Sequence, residues 1–147
     1  MSKNNDVQFS AIGALEKDVI EIPGQLIPWQ GETEVHELNC FDVGIMPLPE
    51  TSWEKGKCGF KLIQYMACGL PVIASPVGVN KEIVEHGVNG FLAGDTKEWI
   101  QYLEELKKNP GLCCKMGSAG RKKVESNYSL QKIAPRLVKL MKGVEEA

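Results

Sequence analysis

Three features of the sequence predict an α/β fold built on a mostly parallel sheet with helices on both faces. Strand-like and helix-like segments alternate along the chain, with short connections between them. The run PVIAS (Pro71–Ser75) is almost continuously apolar, as a strand buried on both faces of a parallel sheet must be. Before it, Gly69 offers a left-handed helix cap and Pro71 blocks helix continuation, so helix and strand meet within three residues.

The elements follow in order. VQFSAIGA (Val7–Ala14) has strand character, and a second strand is expected around Val19–Ile22, followed by a Pro-Gly turn. GETEVHELNCF carries acidic residues in its first turn and apolar residues at Val35, Leu38 and Phe41, a short helix pattern. DVGIMPLP is the next strand, ended by Pro47 and Pro49, and ETSWEKGK reads as a polar loop. A helix is predicted from Gly59 or Phe60 to Cys68, with Phe60, Ile63, Met66 and Ala67 inward.

After the PVIAS strand, Asn80 has the chemistry of an N-cap for KEIVEH, and Gly87 that of its stop. NGFLA is the last short strand. Asp95 with Glu98 makes a capping-box start for TKEWIQYLEELKKN, which Asn109-Pro110 breaks. A helix over Gly111–Ser126 and a final one capped by Ser129 complete the chain. The final helix has an apolar stripe of Leu130, Ile133, Ala134, Leu137, Val138 and Met141, and Pro135 is expected to kink it.

With 147 residues, 43% of them hydrophobic and 24% charged, the chain fits one globular domain over residues 1–147. A formal net charge of −2 with both signs interspersed argues against a nucleic-acid partner. The apolar runs fall short of the roughly 20 residues that span a bilayer, and the start does not read as a secretory signal. Cys40, Cys58, Cys68, Cys113 and Cys114 form no CxxC pair, and His36 and His86 are not spaced to complete a zinc site. Reduced thiols in a cytoplasmic protein are expected. Cys58 is set apart from the other thiols by its place beside Lys57 near a helix start.

In open α/β sheets ligands sit outside the carboxyl ends of the strands. The segment Pro47–Lys61 leaves such an end and enters a helix, where unpaired N–H groups and a partial positive charge suit phosphate. Lys57 and Lys61 add two full charges, and Gly56 and Gly59 permit close backbone approach. Lysines at a helix start oppose the helix dipole, so either a bound anion favours them there or the loop is simply solvated and its lysines do nothing. Gln64, one turn on, either hydrogen-bonds a sugar hydroxyl or faces solvent. Glu54 either meets a ligand hydroxyl or is solvated, and Trp29 either flanks a base or packs half-buried. Lys132, Arg136, Lys139 and Lys142 form a solvated face or contact anionic lipid.

The block KLIQYMACGLPVIAS followed by GVNKEIVEHGVNGFL, within a match from IPWQGETEVHELNCFD to FLAGD, resembles the C-terminal, donor-binding domain of group 1 retaining glycosyltransferases of GT-B architecture. The resemblance implies one half of a GT-B pair: a Rossmann-like three-layer sandwich facing a second such domain. It implies a nucleotide-diphosphate sugar (UDP or GDP) as substrate, no metal or other cofactor, and hexosyl transfer with retention. The diphosphate would lie at Lys57, Cys58, Gly59, Phe60 and Lys61. The family's two glutamates, with seven residues between them, fall at Gly56 and Gln64, leaving Glu54 as the nearest carboxylate to act at the sugar.

The family's usual opening strand and helix and its N-terminal acceptor-binding domain are not found. The chain is therefore expected to be a truncated domain, inactive in transfer alone, of a protein working in the cytoplasm or at the membrane surface. Without the missing wall, the apolar stripe of the last helix would be partly exposed. The alternative is a non-catalytic nucleotide- or phosphate-binding partner or regulatory module.

Overall fold

The computed structural model describes residues 7–14 and 24–145. The chain divides into two compact units, Met1–Leu38 and Asn39–Ala147. In the first, β1 (Phe9–Ile12) and β2 (Gly24–Ile27) pair in parallel, with Phe9 opposite Gly24 and Ile12 opposite Ile27. The ladder continues where the Gly13 N–H donates to the Ile27 carbonyl at 2.9 Å. The strand expected at Val19–Ile22 lies outside the described residues. β2 begins at Gly24, where the sequence suggested a turn. Its first two residues are exposed and its last two half-buried, so no alternation marks it as a strand. The expected short helix is present as α1 (Glu34–Leu38).

The second unit holds β3 (Gly44–Met46), β4 (Val72–Ala74) and β5 (Gly90–Leu92) in one parallel sheet, ordered β3-β4-β5. Every residue of the central strand β4 is buried, because alternate side chains feed two cores. Val72 and Ala74 pack with Met46, Leu62, Met66, Ile83 and Val124. Ile73 points the other way, toward Phe91, Leu106 and Met116. The helices covering the first face are α3 (Phe60–Ala67), α4 (Asn80–Ile83) and part of α6 (Pro110–Asn127). On the second face lie α5 (Thr96–Lys108) and the start of α6. The predicted three-layer arrangement is what forms.

Several local expectations are corrected. The polar loop ETSWEKGK contains a helix, α2 (Ser52–Lys55), whose Glu54 N–H donates to Thr51 Oγ1 at 3.3 Å. It buries no residue, so no apolar period announces it. In α3 the fully buried pair is Leu62 and Met66, one turn apart. Phe60, expected inward, is 59% exposed at the first turn, and Ile63 and Ala67 only flank the core.

Asn80 is the first residue of α4 and not its cap, which is Val79. Its side chain is buried and donates from Nδ2 to the Ser75 carbonyl at 3.0 Å. α4 ends at Ile83, earlier than KEIVEH suggested, because Val84 is extended. Gly87, at φ +78°, turns the chain toward β5 instead.

The Asp95–Glu98 start of α5 forms as expected, with only the return bond from Glu98 displaced by one residue. Asp95 Oδ1 accepts from Lys97 and Glu98 N–H groups, while Glu98 Oε2 accepts from the Gly94 N–H. Ser129 starts α7 (Leu130–Glu145) through its carbonyl, which accepts from Lys132 and Ile133, whereas its hydroxyl donates to the Glu125 carbonyl. α7 remains helical through Pro135 and leaves its apolar stripe largely open, Leu130 at 76% and Met141 at 62% exposure.

Candidate functional site

Because β3 and β4 are parallel, the segments leaving Met46 and Ala74 emerge at the same edge of the sheet. Three contacts lace these segments together. Ser75 Oγ accepts from the Leu48 N–H at 2.9 Å, tying the exit of β3 to the end of β4. The Asn80 amide holds the Ser75 carbonyl, closing the turn that leads into α4. Gly78, at φ +52°, lies so close to α2 that a Cβ there would stand 2.7 Å from the Lys55 carbonyl oxygen. Ser75 and Gly78 were not singled out from the sequence, and Asn80 was read there only as a helix cap. The only trace they leave there is a small, glycine-containing stretch, SPVGVN, directly after a buried strand.

The chain enters α3 through Gly59, which is buried and left-handed at φ +67°. A Cβ at this position would meet Ile83 Cδ1 at 2.4 Å and Val79 Cγ1 at 3.1 Å, so both conformation and space call for glycine. The Gly59 carbonyl accepts from Leu62 and Ile63. No side chain caps the helix, and its first turn contains no acidic residue. The α3 N-terminus therefore presents backbone donors and its positive dipole end at the carboxyl edge of the sheet.

Charged side chains surround this corner. Lys61 and Cys58 are exposed, and Lys57 is 44% exposed with its Nζ 2.5 Å from Glu54 Oε2. The Glu54 side chain is only 15% exposed. Its Oε2 is buried and accepts no hydrogen bond among the described residues, so the contact with Lys57 is one of charge. Gly56 ends α2 in an exposed turn. Gln64 is half-buried on α3, one turn past Phe60 and Lys61. Beside it, burial pushes the Tyr65 phenol above its ordinary pKa, keeping it neutral.

Lys57, Cys58, Gly59, Phe60, Lys61 and Gln64 lie around the start of α3. Trp29 belongs to the first unit, where it is 60% exposed and donates from Nε1 to Glu34 Oε1 at 3.0 Å. The expected half-buried packing role does not describe it. A shallow depression along α5, between Lys97 and Asn109, lies on the solvent face of that helix and gathers none of these residues.

A family model described as "Glycosyl transferases group 1" matches residues 2–109. The chain belongs to the group 1 glycosyl transferases. Among curated relatives, the N-acetyl-alpha-D-glucosaminyl L-malate synthase of Bacillus anthracis is 35% identical over 82 residues, 54% of this chain and 22% of that protein. The spore coat protein SA of Bacillus subtilis is 33% identical over 76 residues, 50% of this chain and 20% of that protein. The chain spans about a fifth of the length of these relatives.

Among solved structures, Anabaena HepE in complex with UDP and glucose superposes with a TM-score of 0.75 at 20% identity. The match covers 93% of this chain and 41% of that one. At that identity the likeness establishes the fold, and the Rossmann-like half of a GT-B architecture is the fold observed.

In this group 1 glycosyl transferase, the two positions expected to carry glutamates are the exposed Gly56 and the half-buried Gln64. Glu54, two residues before Gly56, is turned inward on α2 and paired with Lys57.

Proposed function

We propose that this chain is the donor-binding domain of a retaining glycosyl transferase, taking the diphosphate of a nucleotide sugar at the α3 N-terminus. The observation that carries the reading is the uncapped helix start entered through the buried, left-handed Gly59 and flanked by Lys57 and Lys61. Solved chains of the same fold support it: HepE was crystallised with UDP and with UDP-glucose, and Staphylococcus aureus TarM with UDP.

In this reading the N–H groups of the first α3 turn bind the diphosphate oxygens, and Lys57 and Lys61 neutralise charge that grows on the departing nucleoside diphosphate. That role needs no metal ion. Gln64 hydrogen-bonds a sugar hydroxyl without adding charge, and a partner acceptor-binding domain supplies the opposing wall and orients the acceptor. The chain alone therefore binds donor weakly and does not transfer hexose. No helix of the described residues is long and apolar enough to cross a membrane. The full protein works in the cytoplasm or at the membrane surface, where the basic face of α7 would meet anionic lipid.

A titration of isotopically labelled protein with UDP, GDP, UDP-sugars and GDP-sugars tests this. Amide shifts gathered at Lys57–Gln64, and stronger for one base, are expected. Silence at millimolar ligand would remove the donor site. The uncharged Gly56 and Gln64 favour a second reading, a non-catalytic nucleotide-binding module. It predicts the same shifts but no transfer or donor hydrolysis even when the acceptor domain is supplied.

A further inference from the structure

Glu54 and Lys57 form an unequal pair. The backbone beneath the carboxylate is held: Glu54 sits in α2, its N–H donates to Thr51, and the next residue is pressed onto Gly78. Its side chain is 15% exposed, and its Oε2 has Lys57 as its ion-pair partner and no hydrogen bond among the described residues. The Lys57 side chain is 44% exposed, carries its charge at the end of a flexible stem, and lies two residues before the turn into α3. Lys57 can swing away from a carboxylate whose own backbone is held.

We infer that Glu54 is a positioning residue, a latch that holds Lys57 when the α3 corner is empty and releases it when a diphosphate arrives. This rests on the donor-site reading above. Release leaves a half-sequestered carboxylate without its counter-charge, and that cost is charged against anion binding. The corner is accordingly built to hold its diphosphate less tightly than its two lysines and helix dipole would allow. Such moderation suits a site that must let a nucleoside diphosphate go after transfer. Replacing Glu54 by the isosteric, neutral glutamine removes the cost while keeping the shape.

The test uses the full chain with inorganic pyrophosphate and UDP as probes, titrated calorimetrically at low salt. Wild type, Glu54→Gln, Lys57→Met and the double variant are compared. Glu54→Gln is expected to tighten pyrophosphate by about fivefold, the size of one partly exposed ion pair. In the Lys57→Met background the same change should have little effect, which a direct repulsion between Glu54 and the anion would not produce.

A second readout needs no ligand: in Glu54→Gln, the freed Lys57 amine should be acylated faster by a succinimidyl ester, with Lys61 unchanged. Glu54→Gln that binds pyrophosphate no tighter than wild type, or an equal gain with and without Lys57, overturns the latch and leaves the donor site standing. No binding by wild type and Glu54→Gln alike overturns the donor-site reading itself, and the latch with it.

Discussion

Replacing Gly59 with alanine should damage stability and anion binding together, and the structure sets the size of the effect. At φ +67° an alanine takes on the left-handed penalty of about 1 to 2 kcal/mol. The new methyl also lies 2.4 Å from Ile83 Cδ1 and 3.1 Å from Val79 Cγ1. Ile83 is fully buried, so its tip can retreat only by disturbing the core it shares with Leu62 and Met66, an overpacking cost of about 1 to 3 kcal/mol. The sum is about 2 to 5 kcal/mol.

Gly69→Ala is the internal control. Its φ is +74°, but nothing lies within 4 Å of the added methyl, so only the backbone penalty of about 1 to 2 kcal/mol applies. Both substitutions restrict the unfolded chain equally, so that contribution cancels in the comparison. With a urea slope of about 2 kcal/mol per molar, the excess for Gly59→Ala is a midpoint lower by roughly 0.5 to 1.5 M. Urea unfolding followed by circular dichroism measures it. Equal midpoints for the two variants would refute the claim that close packing against α4 holds the entry to α3.

Further outcomes follow from other contacts. Asn89, 1% exposed, accepts from the Glu85 N–H and donates to the Ile83 carbonyl, so Asn89→Ala orphans two backbone groups and should cost about 2 to 3 kcal/mol in the same assay. Burial, reinforced by Cys114 and Asp42, raises the Cys113 thiol pKa, which lowers its thiolate fraction at any given pH. Iodoacetamide at pH 8 should therefore label Cys113 more slowly than the exposed Cys114, as read by peptide mass spectrometry. On α7, Leu137 and Leu140 are 54% and 69% exposed, so changing either to serine should shift the unfolding free energy by less than about 0.5 kcal/mol.

The sequence by itself determined those features whose cause is local. The buried run before Ser75 could be nothing but a central strand, and Gly69-Pro71 could only separate a helix from it. Asp95 and Asn109-Pro110 set the ends of α5 through capping and the missing proline donor. The family resemblance was legible for the same reason, since it is carried by one contiguous block around that strand, and so was the cationic corner at Lys57 and Lys61.

Tertiary structure decided what depends on residues distant in sequence. β2 is a strand because β1 lies beside it; its own residues show no alternation. Asn80 has an ideal capping side chain, yet the buried Ser75 carbonyl claims it and passes the cap to Val79. Phe60 is apolar but stands at the sheet's carboxyl edge, so Leu62 takes the core position expected for it. The close approach of α2 to Gly78, 24 residues from Glu54 (78 − 54), and the pairing of Glu54 with Lys57 are likewise visible only in the folded chain. Local propensity selects the elements, whereas burial and hydrogen-bond satisfaction between distant segments choose which side chain faces which partner.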